Sequence, residues 1–144
     1  MSLYADTSLL VSYYINDNNS ARAQATIQSL TDSLFFTGLH RLELKNALEL
    51  GTFRHLLTAQ QSRAAWLNVQ QDLRARRLCP QPLSWAPIMR TATHYVSRHT
   101  AVVGCRSLDL LHVATAKALG AMEFYSFDSR QRALAQLEGF TVKP

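Results

Sequence analysis

The 144-residue chain is 47 % apolar and 17 % charged, the balance of one folded domain with a sizeable core rather than of a disordered segment. No apolar run approaches a membrane span, and no basic stretch precedes the opening apolar residues, which argues against a signal peptide. Fifteen Lys and Arg against ten Asp and Glu give a formal charge of +5, which favours an acidic partner such as nucleic acid or an anionic protein segment.

In chain order, Leu3-Tyr4-Ala5 reads as a short buried strand ending at Asp6, followed by a helix from Thr7 to about Ile15. Asn16 to Ser20 is a turn cluster, with Ser20 placed to cap a helix reaching about Leu30. Leu34 to Thr37 is a second strand closed by Gly38, and Leu39 to Leu50 a helix with Gly51 suited to its C-terminal cap. An amphipathic helix runs from about Thr58 to Arg77, with Trp66, Val69 and Leu73 on one side. Leu78-Cys79-Pro80 suits an edge strand, and Trp85 to about His99 a helix with Pro87 in its first turn. Thr100 to Arg106 reads as a loop, after which Ser107 caps an apolar helix to Leu119. Phe124 to Phe127 is a strand ending at Asp128, Ser129 to Leu137 a helix, and Phe140 to Val142 a last strand. Strands alternating with helices imply an α/β fold with a parallel sheet covered on both faces, whose ligands bind beyond the carboxyl ends of the strands. Asp6 and Asp128 occupy that edge.

Two further acids fall in apolar surroundings. Glu43 shares a helical stripe with Leu39, Asn46, Ala47 and Leu50, and Asp109 shares its side with Val113 and Ala116. Each acid also has a plain structural role open to it. Asp6 and Asp128 precede helices and suit N-caps, and Asp109 suits the first turn of its helix. Gathered together, however, each pair of carboxylates at 4 Å would repel by roughly 4 kcal/mol at an intermediate effective dielectric. A divalent cation between them reverses that sign, and all-oxygen ligation suits Mg²⁺ or Mn²⁺ rather than zinc. The histidines carry no zinc spacing; His112, one turn from Asp109, is placed either to support it or to pack in the core. Cys79 and Cys105 lack a Cys-x-x-Cys spacing and fit a reducing, cytoplasmic location, with a single disulfide between them as the open alternative.

These residues resemble the PIN-domain ribonucleases, and within them the VapC-type toxins of bacterial toxin–antitoxin pairs. Tyr4-Ala5-Asp6-Thr7-Ser8 is similar to their first motif and Leu42 to Leu48, around Glu43, to their second. Arg106-Ser107-Leu108-Asp109-Leu110-Leu111-His112-Val113-Ala114-Thr115-Ala116 is the longest match. Phe127-Asp128-Ser129-Arg130 resembles the last motif, and Gly139 to Val142 the closing strand, so the likeness covers nearly the whole chain. It implies a single PIN domain over 1–144, a three-layer α/β/α sandwich with a five-stranded parallel sheet in the order 3-2-1-4-5.

The resemblance also implies metal-dependent endoribonuclease activity. Asp6, Asp109 and Asp128 would hold Mg²⁺ or Mn²⁺, Glu43 would orient water or complete the ligand set, and Thr7 or Ser8 would hydrogen-bond a ligand or phosphate. Arg41, Lys45, Arg98, Arg106, Arg130 and Arg132 flank the motifs as candidate RNA-phosphate contacts. A cognate antitoxin blocking the acidic pocket and a homodimer follow from the same likeness, with the helix bearing Trp66 part of a partner groove. Three other readings stay open: a housekeeping nuclease in RNA maturation, a non-catalytic RNA- or protein-binding module, and a phosphatase. The last ordinarily needs Asp-x-Asp after strand one, where this chain has Ser8.

Overall fold

Leu3–Ala5 (β1) is buried at every residue, which is what a strand covered on both faces requires. In the computed structural model, which describes residues 2–144, it is followed by Thr7–Tyr14 (α1), Ser20–Gln28 (α2), Leu34–Phe36 (β2), Gly38–Phe53 (α3), Ala59–Arg74 (α4) and Leu78–Pro80 (β3). Trp85–Tyr95 (α5), a π-helical turn at Val96–Thr100, Ala101–Val103 (α6), Ser107–Ala118 (α7), Glu123–Tyr125 (β4), Ser129–Leu137 (α8) and Thr141–Lys143 (β5) complete the chain. The five strands form one sheet in the order β3-β2-β1-β4-β5, the order that the family resemblance implies. Its pairings are parallel: Leu3 lies opposite Glu123 and Ala5 opposite Tyr125, β4 pairs with β5, and Leu34 lies opposite Leu78. No helix among the described residues is long and apolar enough to cross a membrane.

The chain divides into two compact units. One comprises the residues up to Asp6 together with Pro82–Pro144. Its core joins Tyr4, Ile88, Val113, Phe124 and Leu134, all essentially inaccessible. The Tyr4 ring stacks on Phe124 at 5.6 Å, and its hydroxyl meets His112 Nδ1 at 2.8 Å. His112 is thus a packed core histidine, bonded to Tyr4. Helix α7 is buried on nearly all sides and packs against α5, which explains its lack of a polar face. The other unit, Thr7–Gln81, buries Leu9, Leu10, Leu44, Leu48 and Val69, with His40 stacked on Phe36 at 5.7 Å.

Several boundaries differ from the sequence reading, each for a local reason. Helix α3 starts at Gly38 because Thr37 caps it: the Thr37 side chain accepts from His40 N–H while His40 Nδ1 accepts from Thr37 N–H. Gly51 lies inside α3 rather than beyond its end. A Cβ there would come within 2.9 Å of Leu57 Cδ1, so its bareness admits the leucine of the following loop. Helix α4 stops at Arg74, short of Arg77, and Arg76 takes a left-handed φ of 57° just beyond it. The helix expected from Trp85 to His99 widens after Tyr95 into the π turn, and the loop expected from Thr100 contains α6, closed by Gly104 at φ 74°. In the π turn His99 Nε2 meets Glu138 Oε1 at 2.5 Å, with Arg98 Nη1 at 3.4 Å from the same oxygen. Ser107 is the first residue of α7 and not its cap; that position belongs to Arg106, whose N–H bonds to Asp109 Oδ2 at 2.9 Å. Likewise Asn19, not Ser20, is the N-cap residue of α2; the Ser20 hydroxyl donates to Ile15 O at 2.6 Å. The final strand begins one residue later than expected, at Thr141.

Candidate active site

Parallel pairing of β1 with β4 sets the geometry in the first unit. Asp6 leaves β1 with its N–H on Tyr125 O at 2.9 Å, so the ends of these two strands are locked in register. Ser126, fully buried just past β4, donates its hydroxyl to Asp6 Oδ2 at 2.7 Å and accepts from Asp128 N–H at 3.0 Å. One hydroxyl thereby ties the first acid to the last. Asp6 is only 1 % exposed.

Asp128 does act as the N-cap of α8, its Oδ1 accepting from Arg130 N–H at 2.8 Å and Gln131 N–H at 3.1 Å. That leaves Oδ2, which takes Arg106 Nη2 at 3.3 Å. The capping role and a site role therefore use different oxygens of one carboxylate.

Asp109, also 1 % exposed, is surrounded by donors. Besides the Arg106 N–H, Oδ2 accepts Arg106 Nε at 3.2 Å, and Oδ1 accepts Arg106 Nη2 at 3.4 Å and Gln131 Nε2 at 3.1 Å. Burial alone would push this carboxyl up; the Arg106 side chain and N–H and the Gln131 amide override it and hold Asp109 below the ordinary carboxylate value. Gln131 is itself buried, and its carbonyl oxygen has no hydrogen-bond partner among the described residues. Cys105 lies close by, its thiol pushed up by burial and by the Asp109 charge; both cysteines are free thiols.

In the second unit Glu43, half-buried on α3, accepts the Thr7 hydroxyl at 2.8 Å. Thr7 is the residue after Asp6 in the chain, and Ser8 beside it is exposed. Arg41 lies over both Phe36 (5.6 Å) and Trp66 (5.7 Å), and Lys45 over Trp66 at 4.9 Å. Arg132 donates to Ser126 O at 3.0 Å, at the edge of the acid cluster.

The structure thus links Asp6, Asp109 and Asp128 through Ser126, Arg106 and Gln131. Ser126 and Gln131 were not singled out in the sequence. The Asp128-x-x-Gln131 spacing, a capping-box pattern, was the available signal for the second. For Ser126 there was none, since nothing local marks a serine at a strand end as buried.

Divalent-cation fit can be judged from the donors. Asp109 and Asp128 offer hard oxygen ligands of the kind Mg²⁺ and Mn²⁺ take, and one guanidinium shared by the two leaves that pair short of neutral. In the present arrangement no three His, Cys, Asp or Glu side chains among the described residues are gathered to hold a metal. The donor chemistry fits, with Arg106 standing as the cation on two of the acids.

An α/β fold with a parallel sheet and an acid cluster beyond the ends of its central strands defines a class in which polar chemistry is held at a topological switch point. The PIN domain model matches residues 3–137, and the chain belongs to that family. No curated protein matches the sequence significantly. Solved structures share the fold at low identity. Mycobacterium tuberculosis VapC20, described as a sarcin-ricin loop cleaving toxin, is 17 % identical with a TM-score of 0.69, covering 99 % of both chains. FitAcB from Neisseria gonorrhoeae is 17 % identical with a TM-score of 0.64, covering 99 % of this chain and 96 % of that one. Rickettsia felis VapBC2, bound to a fragment of promoter DNA, is 13 % identical with a TM-score of 0.66, covering 99 % and 98 %.

Proposed function

We propose that the protein is a metal-dependent endoribonuclease and the toxin of a toxin–antitoxin pair. The observation that carries this is the hydrogen-bonded cluster of Asp6, Asp109 and Asp128, two of them almost wholly buried, in a PIN-domain chain. Ionised carboxylates gathered and buried together are costly, and a cation site offsets that cost.

Asp6, Asp109 and Asp128 would be the oxygen ligands of Mg²⁺ or Mn²⁺. Ser126 aims Asp6, while the Arg106 N–H and the Gln131 amide aim Asp109. Once bound, the cation supplies a water of lowered pKa and positive charge toward the phosphoryl oxygens. Glu43, held by Thr7, orients the attacking water. Arg41, Lys45 and Arg130 contact RNA phosphates, so binding weakens with salt.

The toxin assignment rests on the likeness to the VapC, VapBC and FitAB structures. A groove of about 290 Å³ between α3 and α4, lined by Leu48, Trp66 and Leu67 with Lys45 and Arg63 against one acid, Glu49, suits an amphipathic antitoxin segment. The proposal extends to a homodimer acting in the cytoplasm.

The test is cleavage of total cellular RNA by the purified protein. Cleavage should need Mg²⁺ or Mn²⁺, stop in chelator, and be lost in a folded Asp6→Asn variant. Equal cleavage by that variant, or cleavage persisting in chelator, refutes the assignment. Growth arrest on induction, relieved by the product of an adjacent gene, separates a toxin from a housekeeping nuclease.

A further inference from the structure

We propose that the Arg106 guanidinium is the resident counter-ion of the acid cluster and competes with the divalent cation for Asp109 and Asp128. This deepens the metal-dependent reading above and rests on it.

Two sets of bonds hold these acids, and they differ in quality. The Arg106 N–H to Asp109 (2.9 Å) and the Arg130 N–H to Asp128 (2.8 Å) are short, and the Gln131 bonds to each are 3.1 Å. Guanidinium contacts are longer, at 3.2, 3.4 and 3.3 Å. Charge-assisted N–H···O bonds ordinarily fall near about 2.7–2.9 Å. The Arg106 side chain is also 66 % exposed, against 2 % for that of Asp109. Backbone and amide donors therefore set the carboxylates in place, and the guanidinium rests over them from the solvent side.

Its charge explains why it is there. Two carboxylates brought to one site resist joint ionisation unless a cation lies between them. One guanidinium touching both removes most of that repulsion but leaves the pair one charge short of neutral. A divalent cation would match the pair's charge in full and would compete for the same two carboxylates. When it binds, Arg106 can withdraw into solvent at little cost, while its own N–H and Gln131 keep Asp109 aimed. The arginine thus offsets part of the charge of the empty cluster and lowers its affinity for the cation. Released, the same guanidinium is available to an RNA phosphate, so the phosphate role expected for Arg106 belongs to the loaded state.

The experiment measures Mn²⁺ binding, by titration calorimetry and by the electron paramagnetic resonance of free Mn²⁺, for the full chain without RNA. Arg106→Ala should bind Mn²⁺ roughly 1.5- to 5-fold more tightly than wild type, the range that corresponds to an exposed ion pair. Arg106→Lys, which keeps the charge and loses the fork, should fall between the two. Without metal the Arg106→Ala thermal midpoint should drop, and the rise on adding Mn²⁺ should exceed that of wild type. Gln131→Leu strips a donor from Asp109 without vacating the cation's place, and should weaken Mn²⁺ binding. If Arg106→Ala does not fold, Arg106→Gln takes its place in the comparison. Equal or weaker binding on loss of the guanidinium overturns the inference while the nuclease reading stands. Failure of folded wild type to bind Mn²⁺ at all overturns both.

Discussion

Replacing Asp109 by Asn tests how far the charge of this carboxylate, rather than its shape, stabilises the cluster. The side chain is 2 % exposed and accepts four hydrogen bonds, two on each oxygen. Whichever oxygen becomes an NH₂, it faces two donors. Turned toward Gln131, the new amide can be met if Gln131 rotates to present its unpartnered carbonyl, but the Gln131 NH₂ then enters a buried place with no acceptor. Guanidinium bonds to Asp109 count for little, because Arg106 is mostly exposed and screened, at most about 1 kcal/mol together. The Arg106 N–H and Gln131 bonds to a charged group contribute about 1.5–3 kcal/mol each in full, and Asn retains part of one. The expected loss is about 2–4 kcal/mol, a lowering of the thermal midpoint by roughly 5–15 °C for a domain of this size. Urea denaturation in chelator, followed by circular dichroism, measures it without any contribution from metal. A midpoint unchanged at equal slope would refute the view that an ionised Asp109 organises its surroundings.

Ser126→Ala should leave the half-buried Asp128 N–H without its acceptor and Asp6 without its hydroxyl; a loss of about 1–3 kcal/mol in urea melts and a fall in metal-dependent cleavage are expected. Thr37→Val removes the cap of α3 and should cost about 1 kcal/mol by the same measurement. Burial and the neighbouring Glu138 carboxylate push the Tyr95 hydroxyl up from 10.0 to about 12, and burial with a Glu123 bond raises Tyr125 as well. A folded-state value above the unfolded one contributes stability that is complete below pH 10 and lost as pH rises toward 12, so the urea midpoint should hold to about pH 10 and then fall. Tyr95→Phe should flatten that alkaline limb; an unchanged slope refutes the assignment.

Much of this was legible in the chain because it depends on local patterning. Leu3 to Asp6 reads as a buried strand ending in an acid, and Asp128 as a cap, since strand period and capping spacing are properties of neighbouring residues. Element order followed too, with errors at ends where distant contacts decide. Gly51 reads as a helix terminator until Leu57 is seen to need its missing Cβ, and the π turn after Tyr95 has no sequence signature. The motif string around Asp109 marks that acid as special in the chain itself.

What only the fold decided is which groups face the acids. Ser126 meets Asp6 because β1 and β4 pair in register, a contact between residues 120 positions apart that no local pattern encodes. Arg106 reads from the sequence as a candidate RNA-phosphate contact; three-dimensional placement puts it on two carboxylates, one in α7 and one capping α8. Sequence sets which side chains carry charge and which segments can be buried, because those are properties of residues and their near neighbours. Electrostatic pairing falls off with distance through space rather than along the chain, so the partners of each charge wait on the tertiary structure.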